Sequence, residues 1–104
     1  MTLEMSCGAE EDAAQAVSWY GEQRAGLGSE FLNKLQPLLQ RVEDAPFQFP
    51  KVAGKNDRRQ LRQGILRRLP YRVILEVKDD ASLLVLAVAH TNCHPDYWRN
   101  RPTS

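Results

Sequence analysis

One short apolar run, LLVLAVA at residues 83–89, constrains the fold of this 104-residue chain more than any other stretch. Seven apolar residues are too few to cross a membrane as a helix. A strand with one face in water would alternate apolar and polar side chains, and this run does not. A continuous run of this length is typical of a strand covered on both faces. The sequence therefore predicts a sheet with residues 83–89 as its central strand.

Three other segments of the chain have strand character. Apolar and polar side chains alternate over residues 3–6, which predicts a short first strand. Residues 61–69 and 71–78 predict two more strands, which Pro70 separates. Asp and Ser at 79–82 predict the turn into the central strand.

Two helices are predicted between the first and second strands. Residues 9–24 carry carboxylates in their first turn, where the helix dipole favours negative charge. The second helix has a 3.6-residue apolar period, and Ser29 is its expected N-cap. Pro37 lies inside this helix and removes a backbone hydrogen bond, so we expect a kink or a split there. Residues 44–57 then read as a loop.

These elements predict one α+β domain over residues 1–104, in the order β-α-α-β-β-β. A helical hairpin should pack on one face of a small, mostly antiparallel sheet. The sequence has no apolar run long enough to span a membrane and no N-terminal signal pattern, so we expect a cytoplasmic protein without membrane contact.

The net charge of +1 conceals an uneven distribution. Residues 1–50 carry −5, residues 51–72 carry +7 and residues 73–104 carry −1. A dense positive block attracts phosphate groups or an acidic protein surface, whereas its simplest alternative is a solvated edge. The expected phosphate- or partner-binding residues are the arginines of the block: Arg58, Arg59, Arg62, Arg67, Arg68 and Arg72.

The stretch HTNCHPDYWRNR at residues 90–101 concentrates chemically active side chains. His90, Cys93 and His94 provide at most three zinc ligands, and the two adjacent residues project differently, so we expect neither a metal nor a cofactor. No glycine-rich turn or orienting acid lies near Cys93 to support a nucleophile. Tyr97 and Trp98 are expected to anchor the tail by burying apolar area.

The order and spacing of LRRLPYRVILEV (66–77), VLAVAH (85–90) and HPDYWRNR (94–101) resemble the RelE/ParE superfamily of toxins from bacterial type II toxin–antitoxin systems, the plasmid stabilisation type. The resemblance implies a β-α-α-β-β-β fold and a cognate antitoxin that wraps around the toxin as a hetero-oligomer. It also implies one of two targets. RelE-like members cut mRNA in the ribosome, whereas ParE-like members inhibit DNA gyrase.

The two mechanisms make different demands on the residues. An endoribonuclease would use His90 and Tyr97 for proton transfer and Arg58, Arg59, Arg62 and Arg72 to hold the phosphate. Cys93 stands where the pattern HxxRHPxYW carries an arginine, which removes a cation from that site. The near-neutral net charge also differs from that of a typical ribosome binder. The prediction is therefore a ParE-like gyrase inhibitor, with a RelE-like ribosome-dependent endoribonuclease and a non-toxic antitoxin-binding module as alternatives.

Overall fold

The elements follow the predicted order in a computed structural model of the chain, which describes residues 2–52, 60–66, 68–78, 82–91, 98 and 101. They are β1 (Thr2–Met5), α1 (Cys7–Gln23), α2 (Leu27–Asp44), a 3-10 helix (Pro46–Gln48), β2 (Leu61–Ile65), β3 (Tyr71–Val77) and β4 (Ser82–His90). The predicted α+β class is confirmed. Neither helix in these ranges is both long and apolar enough to cross a membrane.

The sheet has the strand order β1-β4-β3-β2. Strands β2, β3 and β4 pair in antiparallel fashion, and β1 pairs with β4 in parallel. Strand β4 therefore has a neighbour on each side, which confirms that the apolar run at 83–89 is central. Parallel strands need a long connection that crosses over the sheet, and the helical hairpin of α1 and α2 provides it after β1.

The helices cover one face of this sheet. Val73, Leu75 and Val85 on that face pack with Phe31 and Leu35 of α2 in one buried cluster. Helix α1 contributes small side chains to the same cluster, namely Ala9, Ala13 and Ala16. Small residues allow its backbone to lie close to the sheet.

A second buried cluster lies on the opposite face. Ile74, Leu84 and Leu86 pack there around Trp98, whose side chain is 0% exposed. Truncating a buried aromatic side chain costs about 3–5 kcal/mol, so this one residue contributes substantially to stability. The expectation that Trp98 anchors the tail is confirmed, whereas Tyr97 lies outside the described residues.

Strand β4 contains a bulge. Ile74 pairs with Ala87 but Leu75 pairs with Val85, so Leu86 is the extra residue. The pairing of β1 ends at the same level, where Met5 lies opposite Val85. The Ser6 hydroxyl donates to the Leu86 carbonyl at 3.2 Å and accepts from the Ala9 N–H at 3.0 Å. The Ser6 side chain thus caps the N-terminus of α1 and hydrogen-bonds to the main-chain carbonyl of the bulged residue Leu86.

An ion pair between Asp12 and Arg101 lies along the same edge of β4, beyond the end of β1. The Arg101 guanidinium donates to both carboxylate oxygens of Asp12, at 2.8 and 3.1 Å, and to the Leu86 carbonyl at 3.0 Å. Asp12 also accepts from the Val88 N–H at 3.0 Å. A Cβ on Gly8 would lie 2.8 Å from the guanidinium carbon, so glycine leaves room for the arginine. The tail is thereby fastened to α1 and β4 together.

Two local predictions were wrong, and of the kink or split expected at Pro37 the split does not occur. Helix α2 begins at Leu27 after Gly26, whose φ of 90° favours glycine, so Ser29 is not its N-cap. The helix also continues through Pro37 without a split, because residues on both sides of the proline are buried in the core. Strand β2 ends at Ile65 and not at residue 69, and Arg68 has a φ of 66° in the turn that follows.

Replacing Asp12 by Asn tests the ion pair. The substitution leaves the Arg101 guanidinium half-buried beside a neutral amide, so we expect the free energy of unfolding to fall by about 2–4 kcal/mol. Urea denaturation followed by circular dichroism measures this change. Glu10→Gln is the control, because it removes the same charge from the exposed first turn of α1 and should cost at most about 1 kcal/mol. Equal losses in the two variants would contradict a stabilising role for the pair.

Candidate functional site

His90 is the last residue of β4 and is half-buried. It pairs with Tyr71 of β3, and the two rings meet edge to face with centroids 5.2 Å apart. The next residue, Thr91, donates its N–H to the Pro70 carbonyl at 2.8 Å. The imidazole therefore lies against a neighbouring strand at the end of the sheet.

Aromatic side chains surround His90. Trp19, Tyr20, Pro70 and Tyr71 line a cavity of about 380 Å³ with it, which we call the aromatic pocket. The Trp19 and Tyr20 rings are 5.0 Å apart at 82°, and the Tyr20 and Tyr71 rings are 6.1 Å apart at 57°. Since the rings are inclined to one another, they form walls and not a stack. Trp19 is 54% exposed, so the pocket opens to solvent.

A groove of about 310 Å³ continues from the aromatic pocket along α1. This α1 groove is lined by Asp12, Gln15, Ala16, Trp19, Tyr71, Val88 and His90. Main-chain groups alternate in direction along a strand, and the neighbouring residue Thr91 bonds toward β3. The main-chain groups of Val88 and His90 therefore face the other way, toward the groove, where β1 has already ended.

The structure does not bring Arg62 and Arg72 together. Arg62 of β2 lies opposite Leu75, on the helix-covered face, and donates to the Phe49 carbonyl at 2.7 Å. Its guanidinium also lies 5.1 Å from the centre of the Phe47 ring. Arg72 of β3 pairs with residues of the opposite face and donates to the Gln63 amide oxygen at 2.9 Å. Both arginines hold local structure, and their phosphate- or partner-binding role stays a prediction.

The remaining predicted site residues are only partly described. Arg68 is exposed in the turn before β3. Arg58, Arg59, Arg67 and Tyr97 lie outside the described residues, so their predicted roles stay predictions.

A second cavity, of about 430 Å³, lies beside the basic block at the outer edge of β2. We call it the β2-edge cleft, and its walls include Arg41, Phe49 and Ile65. Ile65 is 67% exposed, and the Arg41 guanidinium lies 5.5 Å from the centre of the Phe49 ring. The cleft therefore combines apolar side chains with the Arg41 guanidinium.

The surroundings of His90 limit the chemistry it can perform. No Lys or Arg is present among the described residues that line the aromatic pocket and the α1 groove. Stabilising the charge of a phosphorane is favoured by cations aimed at its oxygens, and the described walls provide neutral donors, one carboxylate and the imidazole of His90 but no Lys or Arg. In the described part of the chain, no three His, Cys, Asp or Glu side chains are grouped to bind a metal ion.

Sequence reasoning did not identify the ion pair between Asp12 and Arg101 or the aromatic pocket. Asp12 is the acidic residue next to the buried Ala13 on α1. Arg101 follows the buried Trp98 by three residues, so the position of Trp98 restricts where Arg101 can lie. Trp19 and Tyr20, which line the aromatic pocket, are not among the predicted site residues. An adjacent Trp-Tyr pair near the end of a helix, combined with a Tyr after Pro70, was the available signal for an aromatic surface.

The comparisons with known proteins agree on the fold. The family model described as the ParE toxin of the type II toxin–antitoxin system parDE matches residues 3–93. A solved structure titled as the chromosomal ParDE TA system from P. aeruginosa is similar with a TM-score of 0.65 at 17% identity. The similarity covers 86% of this chain and 95% of that one. A search of curated proteins gives no match.

The Tyr20 hydroxyl provides a test of the pocket. Burial raises its pKa above the ordinary value of 10.0, so the folded chain holds this proton to higher pH than the unfolded chain does. The contribution of Tyr20 to stability is therefore full below pH 10.0 and is lost as the pH rises through the folded pKa. In an ultraviolet titration, we expect one tyrosine of the folded chain to ionise later than in urea. Tyr20→Phe should remove that late step, and an unchanged late step would contradict the assignment.

Proposed function

Because the chain belongs to the ParE toxin family of type II toxin–antitoxin systems, we propose that it stops growth by inhibiting DNA gyrase in the cytoplasm and not by cutting mRNA. It is the toxin component of such a system, and its partner is an antitoxin. The observation that carries the gyrase proposal is the aromatic environment of His90, which lacks a cation among its described lining residues.

RNA cleavage needs a base, an acid and phosphate-holding cations within hydrogen-bond reach of one another. The ring of His90 lies against Tyr71, at one end of β4. Arg62 belongs to β2, and β3 lies between β2 and β4, so about 10 Å of sheet separates their backbones. Arg62 is also turned toward the carbonyls of Phe47 and Phe49. These described groups do not converge on one substrate atom.

Inhibition of a protein target requires a surface and no converging acid and base. The chain offers two candidates, the aromatic pocket with its half-exposed Trp19 and the β2-edge cleft beside the basic block. Partner-binding surfaces are commonly rich in Trp, Tyr and Arg, because these side chains combine large contact area with polar groups. The aromatic pocket provides Trp19, Tyr20 and Tyr71, and the β2-edge cleft provides Arg41, which supports a toxin that acts by binding.

The proposal is tested with the purified full-length chain in two assays. We expect it to inhibit DNA supercoiling by gyrase and to leave mRNA intact in a translating ribosome extract. His90→Gln keeps a polar side chain in the wall of the aromatic pocket but removes the acid–base group, so gyrase inhibition should persist and be weakened at most a few-fold. A general acid or base in a nuclease would instead contribute about 100-fold or more, which this variant would lose.

The outcomes separate the three mechanisms. Cleaved mRNA that disappears with His90→Gln, together with unaffected gyrase, would overturn the proposal in favour of the RelE-like endoribonuclease. Activity in neither assay, with antitoxin binding retained, would overturn it in favour of a non-toxic antitoxin-binding module. Glu10→Gln is the control variant, because it changes an exposed side chain in the first turn of α1, and it should leave both assays unchanged. Trp98→Phe is unsuitable because Trp98 is fully buried and the substitution could destabilise the fold.

A further inference from the structure

We propose that Arg68, in the turn between β2 and β3, binds a carboxylate on the protein surface of DNA gyrase. The inference rests on the proposed gyrase target and names a residue through which the toxin recognises it. Its basis is the backbone of Arg68, which has a left-handed conformation although the side chain is exposed and makes no compensating contact with the described part of the chain.

The left-handed conformation follows from how the turn is fixed on both sides. Leu66 is 3% exposed and donates its N–H to the Tyr71 carbonyl at 2.9 Å. Leu69 packs against the helix-covered core cluster, and it precedes Pro70. A residue before proline is restricted to extended backbone, so Leu69 cannot supply a helical turn. Arg68, which precedes Leu69, has a φ of 66° and turns the chain.

An arginine at this position lowers stability without a structural return. Glycine adopts the left-handed region at no steric cost, whereas a side chain with a Cβ atom is strained there. Within the described residues, the Arg68 side chain forms no hydrogen bond, ion pair or ring contact. Arg62 and Arg72 differ, because their guanidinium groups donate to groups of the fold at 2.7 and 2.9 Å. Backbone strain at an exposed residue is typical of functional sites, and here it presents a free guanidinium to solvent.

The surroundings of Arg68 favour a protein carboxylate over a DNA phosphate. Pro70 and Tyr71, which follow Arg68 closely in the chain, line the aromatic pocket together with the half-exposed Trp19. Exposed aromatic rings beside an arginine are typical of protein–protein interfaces. Binding to a DNA backbone requires several cations, and the described lining of the pocket contains no Lys or Arg. A single guanidinium fits a carboxylate, which it binds through two parallel hydrogen bonds.

The first experiment measures the thermal stability of the full-length chain, made by cell-free synthesis. Arg68→Gly relieves the backbone strain and loses part of this gain to the greater freedom of the unfolded chain. We therefore expect the melting temperature to rise by about 2–6 °C. Arg68→Asn should not lower it, because asparagine tolerates the left-handed region. A lower melting temperature in both variants would show that the arginine stabilises the fold, and would overturn the proposal.

The second experiment measures inhibition of supercoiling and affinity for gyrase in the absence of DNA. Arg68→Gly and Arg68→Asn both remove the charge without adding strain, and each should weaken inhibition and affinity at least about tenfold. Arg68→Lys should retain part of both, because lysine keeps the charge but not the paired donors. Lys34→Gln is the matched control, since it removes one positive charge from α2 outside the residues that line the aromatic pocket, the α1 groove and the β2-edge cleft.

The outcomes separate this proposal from the gyrase proposal. If the original chain inhibits gyrase and Arg68→Gly inhibits it equally, the role of Arg68 is overturned and the gyrase target stands. If the original chain does not inhibit gyrase, the target and the partner named here are overturned together. A loss that appears only when DNA is present would assign Arg68 to a phosphate, and a loss confined to antitoxin binding would assign it to the antitoxin. Either result would overturn the proposed carboxylate contact.

Discussion

Strand β4 needs partners along both edges, and beyond Val85 one edge depends on the ion pair between Asp12 and Arg101. Strand β1 is too short to pair further, so Ser6, Asp12 and Arg101 bond to Leu86 and Val88 in its place. Arg101 reaches this edge from the tail, which Trp98 fixes on the far face of the sheet. The same contacts therefore close the edge, orient α1 and cover the second face.

The positions of the aromatic pocket and the α1 groove follow from the short length of β1. Strand β1 ends its pairing at Met5, and the α1 groove lies farther along this edge, lined among others by Asp12, Val88 and His90. The interior residues 83–89 are buried and are committed to packing. The aromatic pocket lies instead at the end of β4, where Tyr71 and His90 meet the C-terminal turn of α1. A short first strand thus produces both the need for an ion pair and the space for a partner.

Local patterns predicted the element order and the central strand, because a seven-residue apolar run and a 3.6-residue period are visible without tertiary information. They failed where packing outweighed local preference. Leu35, Leu38 and Val42 lie on both sides of Pro37 in the core, so their burial outweighs the lost backbone hydrogen bond. The sequence also shows the dense group of arginines, but it does not show on which face of the sheet each arginine side chain lies. Strand register decides the face on which each side chain lies, and a one-residue change in register reverses it.

Net charge is a poor guide to partners in this chain, because two surfaces of opposite sign balance it. Helix α1 carries four carboxylates and no Lys or Arg on one side of the sheet, whereas Arg41 lines the cleft at the β2 edge, and residues 51–72 have a net charge of +7 in the sequence. The strand order places β2 and β1 at opposite ends of the sheet, so the two surfaces are separated by its width. A partner that carried one sign of charge would complement only one of them. The near-zero total is therefore the sum of two opposite local charges.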